Sequence, residues 1–190
     1  MLRIDLRSRT VGFCVCVAVM GAVLCCEPAT RAQTISTVEP GTRKQQEVEK
    51  GALDPIKAKT DLYPAAADAK KEIAAKLKRA VSEKKRVLLV FGANWCYDCH
   101  VLDRALHEGA AGKVVQESFL VVHVDIGEGD KNLELAKKYK IPVEKGVPAV
   151  AILDSAGNLL YSSGAGEFES ARTMMKKDLV AFLTNWKTHK

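Results

Sequence analysis

The sequence predicts an α/β fold in which a central mixed β-sheet carries helices on both faces. Residues 86–93 form a continuous apolar run rich in branched side chains, the pattern of a strand buried on both faces, and residues 119–125 are predicted to form a second buried strand. A helical pattern lies between them. The turn sequence of residues 154–157 joins two later strands as an antiparallel hairpin. A parallel pair of strands continued by a hairpin gives a mixed sheet covered by the intervening helices.

The remaining elements follow in order along the chain. A first helix opens at Tyr63-Pro64, and its apolar face carries Ala69, Ile73, Leu77 and Val81. Further helices are predicted over residues 97–106, 113–118, 132–139 and 169–186, and the hairpin strands over 149–153 and 159–162. The last helix has an apolar stripe formed by Met174, Met175, Leu179, Phe182 and Leu183.

The amino terminus has the composition of an export signal. Three arginines within the first nine residues precede a run of 16 almost wholly apolar residues, 11–26. A membrane-spanning helix usually needs ~20 apolar residues, so this run is short for that purpose. It is followed by Thr30-Arg31-Ala32, a small-x-small cleavage sequence. We therefore predict export to the periplasm, with an uncleaved signal that anchors the domain as the alternative.

These features divide the chain into three predicted parts. Residues 1–32 form a signal peptide, residues 33–62 a linker or flexible arm, and residues 63–190 one domain. The chain has 29 basic and 23 acidic side chains, and four of the basic and two of the acidic ones lie in the first 32 residues. The remainder carries 25 basic and 21 acidic side chains dispersed over mixed-sign helices. No basic patch stands out, so nucleic-acid binding is not indicated, and we expect a monomer.

Cysteine usage directs attention to one pair. Four of the six cysteines lie in the predicted signal peptide, which leaves Cys96 and Cys99. Two cysteines separated by two residues close only a very short loop, and a domain of this length can build its own core without disulfides. We therefore expect the pair to serve chemistry rather than scaffolding.

The sequence around this pair resembles the thioredoxin family. The resemblance rests on the strand of residues 87–91, the motif Gly92-Ala93-Asn94-Trp95-Cys96-Tyr97-Asp98-Cys99, and Gly146-Val147-Pro148-Ala149 before the third strand. It covers residues 66–186 and is most similar to exported bacterial members with a Trp-Cys-x-Asp-Cys motif. It implies a thioredoxin fold, a redox-active Cys96–Cys99 disulfide without any other cofactor, and thiol–disulfide oxidoreductase activity.

The two cysteines are expected to have different roles. Cys96 lies where a strand ends and a helix begins. Free N–H groups at a helix start favour a thiolate, so we assign Cys96 as the attacking cysteine. Cys99, one turn further on, is the resolving partner. Asp98 either opposes thiolate formation, which favours a reducing pair, or complements the helix dipole.

Four neighbouring residues are predicted to bind a substrate chain. Trp95 offers a flat surface beside the sulfurs, with a core tryptophan as the alternative, and Tyr97 lies between the cysteines. Pro148 resembles the family's cis-proline, and the resemblance implies that the backbone at Val147 pairs with an extended substrate segment.

The sequence departs from the family at two positions. Many thioredoxins carry a buried acid six residues before the first cysteine, where this chain has Val90, and a lysine of the next strand is replaced by His123. Proton transfer at Cys99 must use another group, and Asp98, His123 and water are the candidates.

The predicted function is reduction of protein disulfides, with electrons from an upstream, membrane-linked thiol donor because an exported protein works in an oxidising compartment. Three alternatives remain open. The fold could hold copper through the cysteines and a histidine such as His100, it could bind a partner without turnover, or Cys96-Tyr97-Asp98-Cys99-His100 could attach a c-type haem. A zinc site is not indicated, because no second pair of ligands is present.

Overall fold

A four-stranded sheet organises the part of the chain that the computed structural model describes, residues 52–53 and 61–187. Its strands are β1 (Arg86–Gly92), β2 (Phe119–Asp125), β3 (Ala149–Leu153) and β4 (Leu159–Ser162), in the order β2-β1-β3-β4. Strand β1 pairs in parallel with β2 and antiparallel with β3, which pairs antiparallel with β4. The predicted mixed sheet with its terminal hairpin is confirmed.

Five α-helices and two 3₁₀ turns surround this sheet within the described residues. The helices are α1 (Ala69–Glu83), α2 (Tyr97–His107), α3 (Gly109–Ser118), α4 (Leu133–Lys138) and α5 (Lys176–Trp186), and the turns are Val143–Lys145 and Ala171–Thr173. None of the described helices has the length and hydrophobicity that crossing a membrane requires.

Strand β1 separates two hydrophobic cores, because successive side chains of a strand point to opposite faces of the sheet. Leu89 and Phe91 pack in a core with Ile73 of α1. Leu88 and Val90 pack in the other core, which receives side chains from α2, α3 and α5. The helices therefore cover both faces, as predicted.

Helix α1 differs from its prediction in its start and in one residue of its buried face. It begins at Ala69 rather than at Tyr63, because the Asp68 carboxylate accepts a hydrogen bond from the Lys71 N–H at 3.1 Å and caps the first turn. Val81, expected on the buried face, is 65% exposed, whereas Ala80 is fully buried. At 100° per residue, position 80 lies about 20° from Ile73 around the helix and position 81 about 80° away.

The predicted helix over residues 169–186 is wrong in its first half. The 3₁₀ turn Ala171–Thr173 comes first, and α5 begins only at Lys176. Met174 and Met175 are extended, because their backbone pairs with Leu53 and Ala52: the Leu53 N–H donates to the Met174 carbonyl at 3.1 Å. Apolar periodicity alone does not distinguish such an extended pair from a helical turn.

Several predictions concern residues that lie outside the described ranges. They are the signal peptide over residues 1–32 and nearly all of the linker over residues 33–62. Both stay predictions.

Candidate functional site

A disulfide joins Cys96 and Cys99 at the junction between β1 and α2, with a Cα–Cα distance of 5.3 Å. Cys96 is the N-cap of α2 and has an extended backbone, so its sulfur sits over the free N–H groups of the first turn. The Cys99 N–H donates to Cys96 Sγ at 3.2 Å. This placement favours a negative charge on Cys96 once the disulfide is reduced.

The two sulfurs differ in exposure. Cys96 is 5% exposed and Cys99 is wholly buried, within a small cluster that also contains Tyr63. A reaction partner arriving from solvent therefore meets Cys96 first.

The loop before β3 lies against Cys96 Sγ. The Val147–Pro148 peptide bond is cis, as the family resemblance implies, and Pro148 is buried. The carbonyl oxygen of half-buried Val147 lies 3.5 Å from Cys96 Sγ. Main-chain groups of this loop are thus available beside the reactive sulfur.

Trp95 lies on the surface next to the disulfide. It is 57% exposed, so the alternative of a core tryptophan is wrong. Its indole Nε1–H donates to the carbonyl oxygen of Gly127 at 2.9 Å, and this bond fixes the ring along an open groove that Asn94, Asp125 and Lys131 also line.

Asp98 is buried against Arg172, a partner that no sequence pattern indicated. Its Oδ1 accepts hydrogen bonds from the backbone N–H of Arg172 at 2.8 Å and from the side-chain Nε of Arg172 at 3.0 Å. Its Oδ2 accepts hydrogen bonds from the same Nε at 3.0 Å and from Nη2. Burial works to raise the pKa of Asp98, but these hydrogen bonds and the guanidinium charge outweigh it and hold the pKa below its ordinary value. The guanidinium also lies 5.5 Å from the centre of the Tyr97 ring. The carboxylate beside the cysteines is therefore ionised and largely neutralised by its partner.

Asn94 attaches the segment before α1 to the motif. Its Oδ1 accepts the Tyr63 N–H at 2.8 Å, and its Nδ2 donates to the Tyr63 carbonyl at 2.9 Å. The carbonyl of Asn94 lies 2.8 Å from Nε2 of His100, which is fully buried. Sequence reasoning missed the roles of Asn94 and Tyr63, and the only available indication was the position of Asn94 within the motif.

Comparison with known proteins agrees with this geometry. The model of a family described as thioredoxin-like matches residues 68–155. The disulphide isomerase from Xylella fastidiosa Temecula1 is 36% identical, with a TM-score of 0.62, and the match covers 65% of this chain and 95% of that one.

The chain belongs to the thioredoxin-like family. The oxidised C-terminal domain of DsbD from Neisseria meningitidis is also similar, at 21% identity and a TM-score of 0.44, with 63% of this chain and 94% of that one covered. No curated protein matches. With its fold, its family and its Cys96–Cys99 disulfide, this thioredoxin-like protein is a thiol–disulfide oxidoreductase.

In the described part of this thioredoxin-like protein, the buried acids Asp98 and Asp103 both lie on α2, and none lies on β1. Val90, at the position of the family's acid, is fully buried in the hydrophobic core. Asp103 of α2 instead lies 3.0 Å from His123 Nε2 and 3.2 Å from His107 Nδ1. Burial raises the pKa of Asp103, but hydrogen bonds from the two histidines dominate and hold it well below its ordinary value.

The alternatives of copper and haem find little support in the side chains present. Among the residues that the structure describes, no group of three or more His, Cys, Asp and Glu could hold a metal ion. His100, the histidine of the C-x-x-C-H pattern, points its Nε2 at the Asn94 carbonyl inside the protein. An axial haem ligand needs that nitrogen free to face the iron.

Proposed function

We propose that this protein reduces disulfides of protein substrates in the bacterial cell envelope. The observation that carries the proposal is the asymmetry of the pair, since Cys96 caps α2 near the surface while Cys99 lies wholly buried behind it. Asp103 follows Cys99 by one turn of α2 and is ionised at neutral pH, and negative charge near a sulfur works against a thiolate. It therefore favours the disulfide state of the protein, which makes the dithiol a reductant.

The reaction proceeds in two exchanges. The Cys96 thiolate attacks one sulfur of the substrate disulfide, forms a mixed disulfide and releases the first substrate thiolate. Cys99, as a thiolate, then attacks Cys96 Sγ and releases the second substrate sulfur. Two electrons pass to the substrate, whose two sulfurs take up protons, and the Cys96–Cys99 disulfide remains. An upstream dithiol, supplied by a membrane-linked donor, restores the reduced pair.

The surface around Cys96 suits an extended polypeptide. The Val147 carbonyl beside Cys96 Sγ can accept a hydrogen bond from a substrate main chain, as in recognition by strand addition. Trp95 provides an exposed apolar face beside Cys96, and Tyr97, the first residue of α2, is half-buried. Recognition of backbone rather than of particular side chains would allow several substrates.

Replacement of the resolving cysteine tests this function. In Cys99→Ser the first exchange still occurs and the second cannot, so mixed disulfides between Cys96 and substrate proteins accumulate. We expect these adducts in the envelope fraction on non-reducing gels, and their loss on addition of dithiothreitol. The double variant Cys96→Ser/Cys99→Ser is the matched control and should trap nothing. A wild type that reduces no protein disulfide, together with a Cys99→Ser variant that traps no protein, would refute the proposal.

Disulfide isomerisation is a second candidate, favoured by the name of the Xylella fastidiosa protein with 36% identity. An isomerase restores activity to a scrambled disulfide-containing enzyme without net oxidation or reduction. Recovery of such a substrate by catalytic amounts of wild type, with no consumption of an added reductant, would favour isomerisation over reduction.

A further inference from the structure

The Tyr63 hydroxyl is a buried polar group without a hydrogen-bond partner. Tyr63 is only 1% exposed, and no donor or acceptor within residues 52–53 and 61–187 bonds its hydroxyl. Leaving such a buried group unpaired is unfavourable. Phenylalanine would fill the same space without leaving a polar group unpaired. We therefore expect the hydroxyl to have a hydrogen-bond partner in another state of the protein.

The hydroxyl lies against the resolving cysteine. A Cβ added to Gly92 would overlap both the Tyr63 hydroxyl and Cys99 Sγ, so the two atoms border the same small space at the end of β1. Tyr63, Cys96 and Cys99 form one buried cluster. The two hydrogen bonds between the Tyr63 backbone and the Asn94 side chain hold Tyr63 there.

Tyr63 keeps its proton in this position. Burial, and then the negative charges of Asp103 and Asp125, raise the pKa of its phenol well above the ordinary value. The group is therefore a neutral hydrogen-bond donor throughout the physiological pH range. The other titratable groups on the elements packed around the cluster are Asp98 with Arg172, His100, and His123 of β2.

Cys99 needs such a donor because it is wholly buried and so has no hydrogen bond from solvent. It must be a thiolate to attack the mixed disulfide, and it leaves as a thiolate when an upstream thiol reduces the Cys96–Cys99 pair. Val90 offers no polar atom at the position where the family carries an acid. A thiolate in full burial without a hydrogen bond is strongly disfavoured.

We infer that the Tyr63 hydroxyl donates a hydrogen bond to the Cys99 thiolate and so stabilises the resolving nucleophile during thiol–disulfide exchange. In the resolving step Cys99 loses its proton to solvent, its sulfur attacks Cys96 Sγ, and the Cys96–substrate bond breaks with release of the substrate thiolate. Tyr63 holds its own proton throughout and gives up none. The inference rests on the proposed oxidoreductase function and adds a group that the reaction uses.

Glutathione disulfide as the oxidant separates the two exchanges in one experiment. Reduced full-length protein is mixed with it, quenched in acid at intervals and digested with trypsin, which gives a peptide of residues 87–104 that contains both cysteines. Formation of the peptide–glutathione adduct reports attack by Cys96, and its decay reports attack by Cys99. We expect Tyr63→Phe to slow the decay about tenfold at pH 7 and to raise its pH midpoint, with adduct formation changed less than twofold.

Tyr161→Phe is the matched control, since it removes a hydroxyl that bonds Glu167 at 3.3 Å, away from the cysteines, and should leave both rates unchanged. Equal decay rates and pH midpoints in Tyr63→Phe and wild type, with normal exchange in the wild type, would overturn the inference alone. A wild type that forms or resolves no adduct would overturn the oxidoreductase function as well.

Should Tyr63→Phe fail to fold, 3-fluorotyrosine at position 63 takes its place. This stronger donor must lower the pH midpoint of decay, and an unshifted midpoint would overturn the inference.

Discussion

The Asp98–Arg172 pair determines how much charge the cysteines experience from the motif itself. Asp98 lies between Cys96 and Cys99 in sequence, and an isolated carboxylate there would oppose a thiolate. Arg172, from the 3₁₀ turn Ala171–Thr173, meets it with four hydrogen bonds. The effect of the motif's acid on reactivity is therefore set by a residue outside the motif.

Removal of that partner should make Cys96 less reactive. In Arg172→Gln the carboxylate of Asp98 loses its counter-charge, so the Cys96 thiolate becomes less stable. We expect the rate of Cys96 alkylation by iodoacetamide at pH 7 to fall about threefold, and the midpoint of its pH profile to rise. Mass analysis of the tryptic peptide of residues 87–104 in the reduced protein gives both quantities.

The double variant Asp98→Asn/Arg172→Gln removes both charges and should restore the alkylation midpoint close to that of wild type. If Arg172→Gln leaves the midpoint unchanged, or if the double variant shows the same shift as the single variant, charge pairing is not what tunes Cys96.

Among the secondary-structure elements, the three strands after β1 were predicted best. Strands β2, β3 and β4 have the predicted bounds, because each is a short segment rich in β-branched, leucine and aromatic side chains that ends at or before polar or turn residues. Helix α2 also begins at the predicted residue. The extended backbone of Met174 and Met175 was missed, since their pairing with Ala52 and Leu53 joins segments more than 100 residues apart.

Two positions of α1 test the face that this helix buries. Ile73 is 4% exposed within the core beneath the sheet, so Ile73→Ala should lower the free energy of unfolding by about 2–4 kcal/mol. Val81, which the sequence pattern placed on the same face, is exposed. Val81→Ala should therefore change the free energy of unfolding by less than about 0.5 kcal/mol. Urea denaturation followed by circular dichroism measures both. Equal losses would mean that α1 is rotated from the face described here.

On the scale of the whole molecule, the site is assembled from segments far apart in the chain. Asn94, next to the cysteines in the motif, holds Tyr63, and the loops at Val147 and Arg172 approach from the carboxyl-terminal half. The cysteine pair and the cis-proline loop could be predicted, because the family resemblance rests on contiguous residues. Tyr63, Asp103 and Arg172 could not, since their roles depend on contacts that only the folded chain creates.

We propose that the same assembly sets the direction of electron flow. A helix start favours the Cys96 thiolate, whereas ionised Asp103 and the wholly buried position of Cys99 favour the disulfide. We expect the disulfide to be favoured over the dithiol, so that the dithiol acts as a reductant. The reason is that the helix start stabilises the thiolate of only one of the two cysteines.

The redox potential of the Cys96–Cys99 pair tests this account most directly. Full-length protein is equilibrated with glutathione buffers of known ratio, quenched in acid, and the oxidised fraction is read from the mass of the peptide of residues 87–104. The account predicts one reversible two-electron transition with a midpoint more negative than about −220 mV, in the range of reducing dithiols. A midpoint near about −120 mV, typical of a strong oxidant, or the absence of any reversible transition, would contradict it.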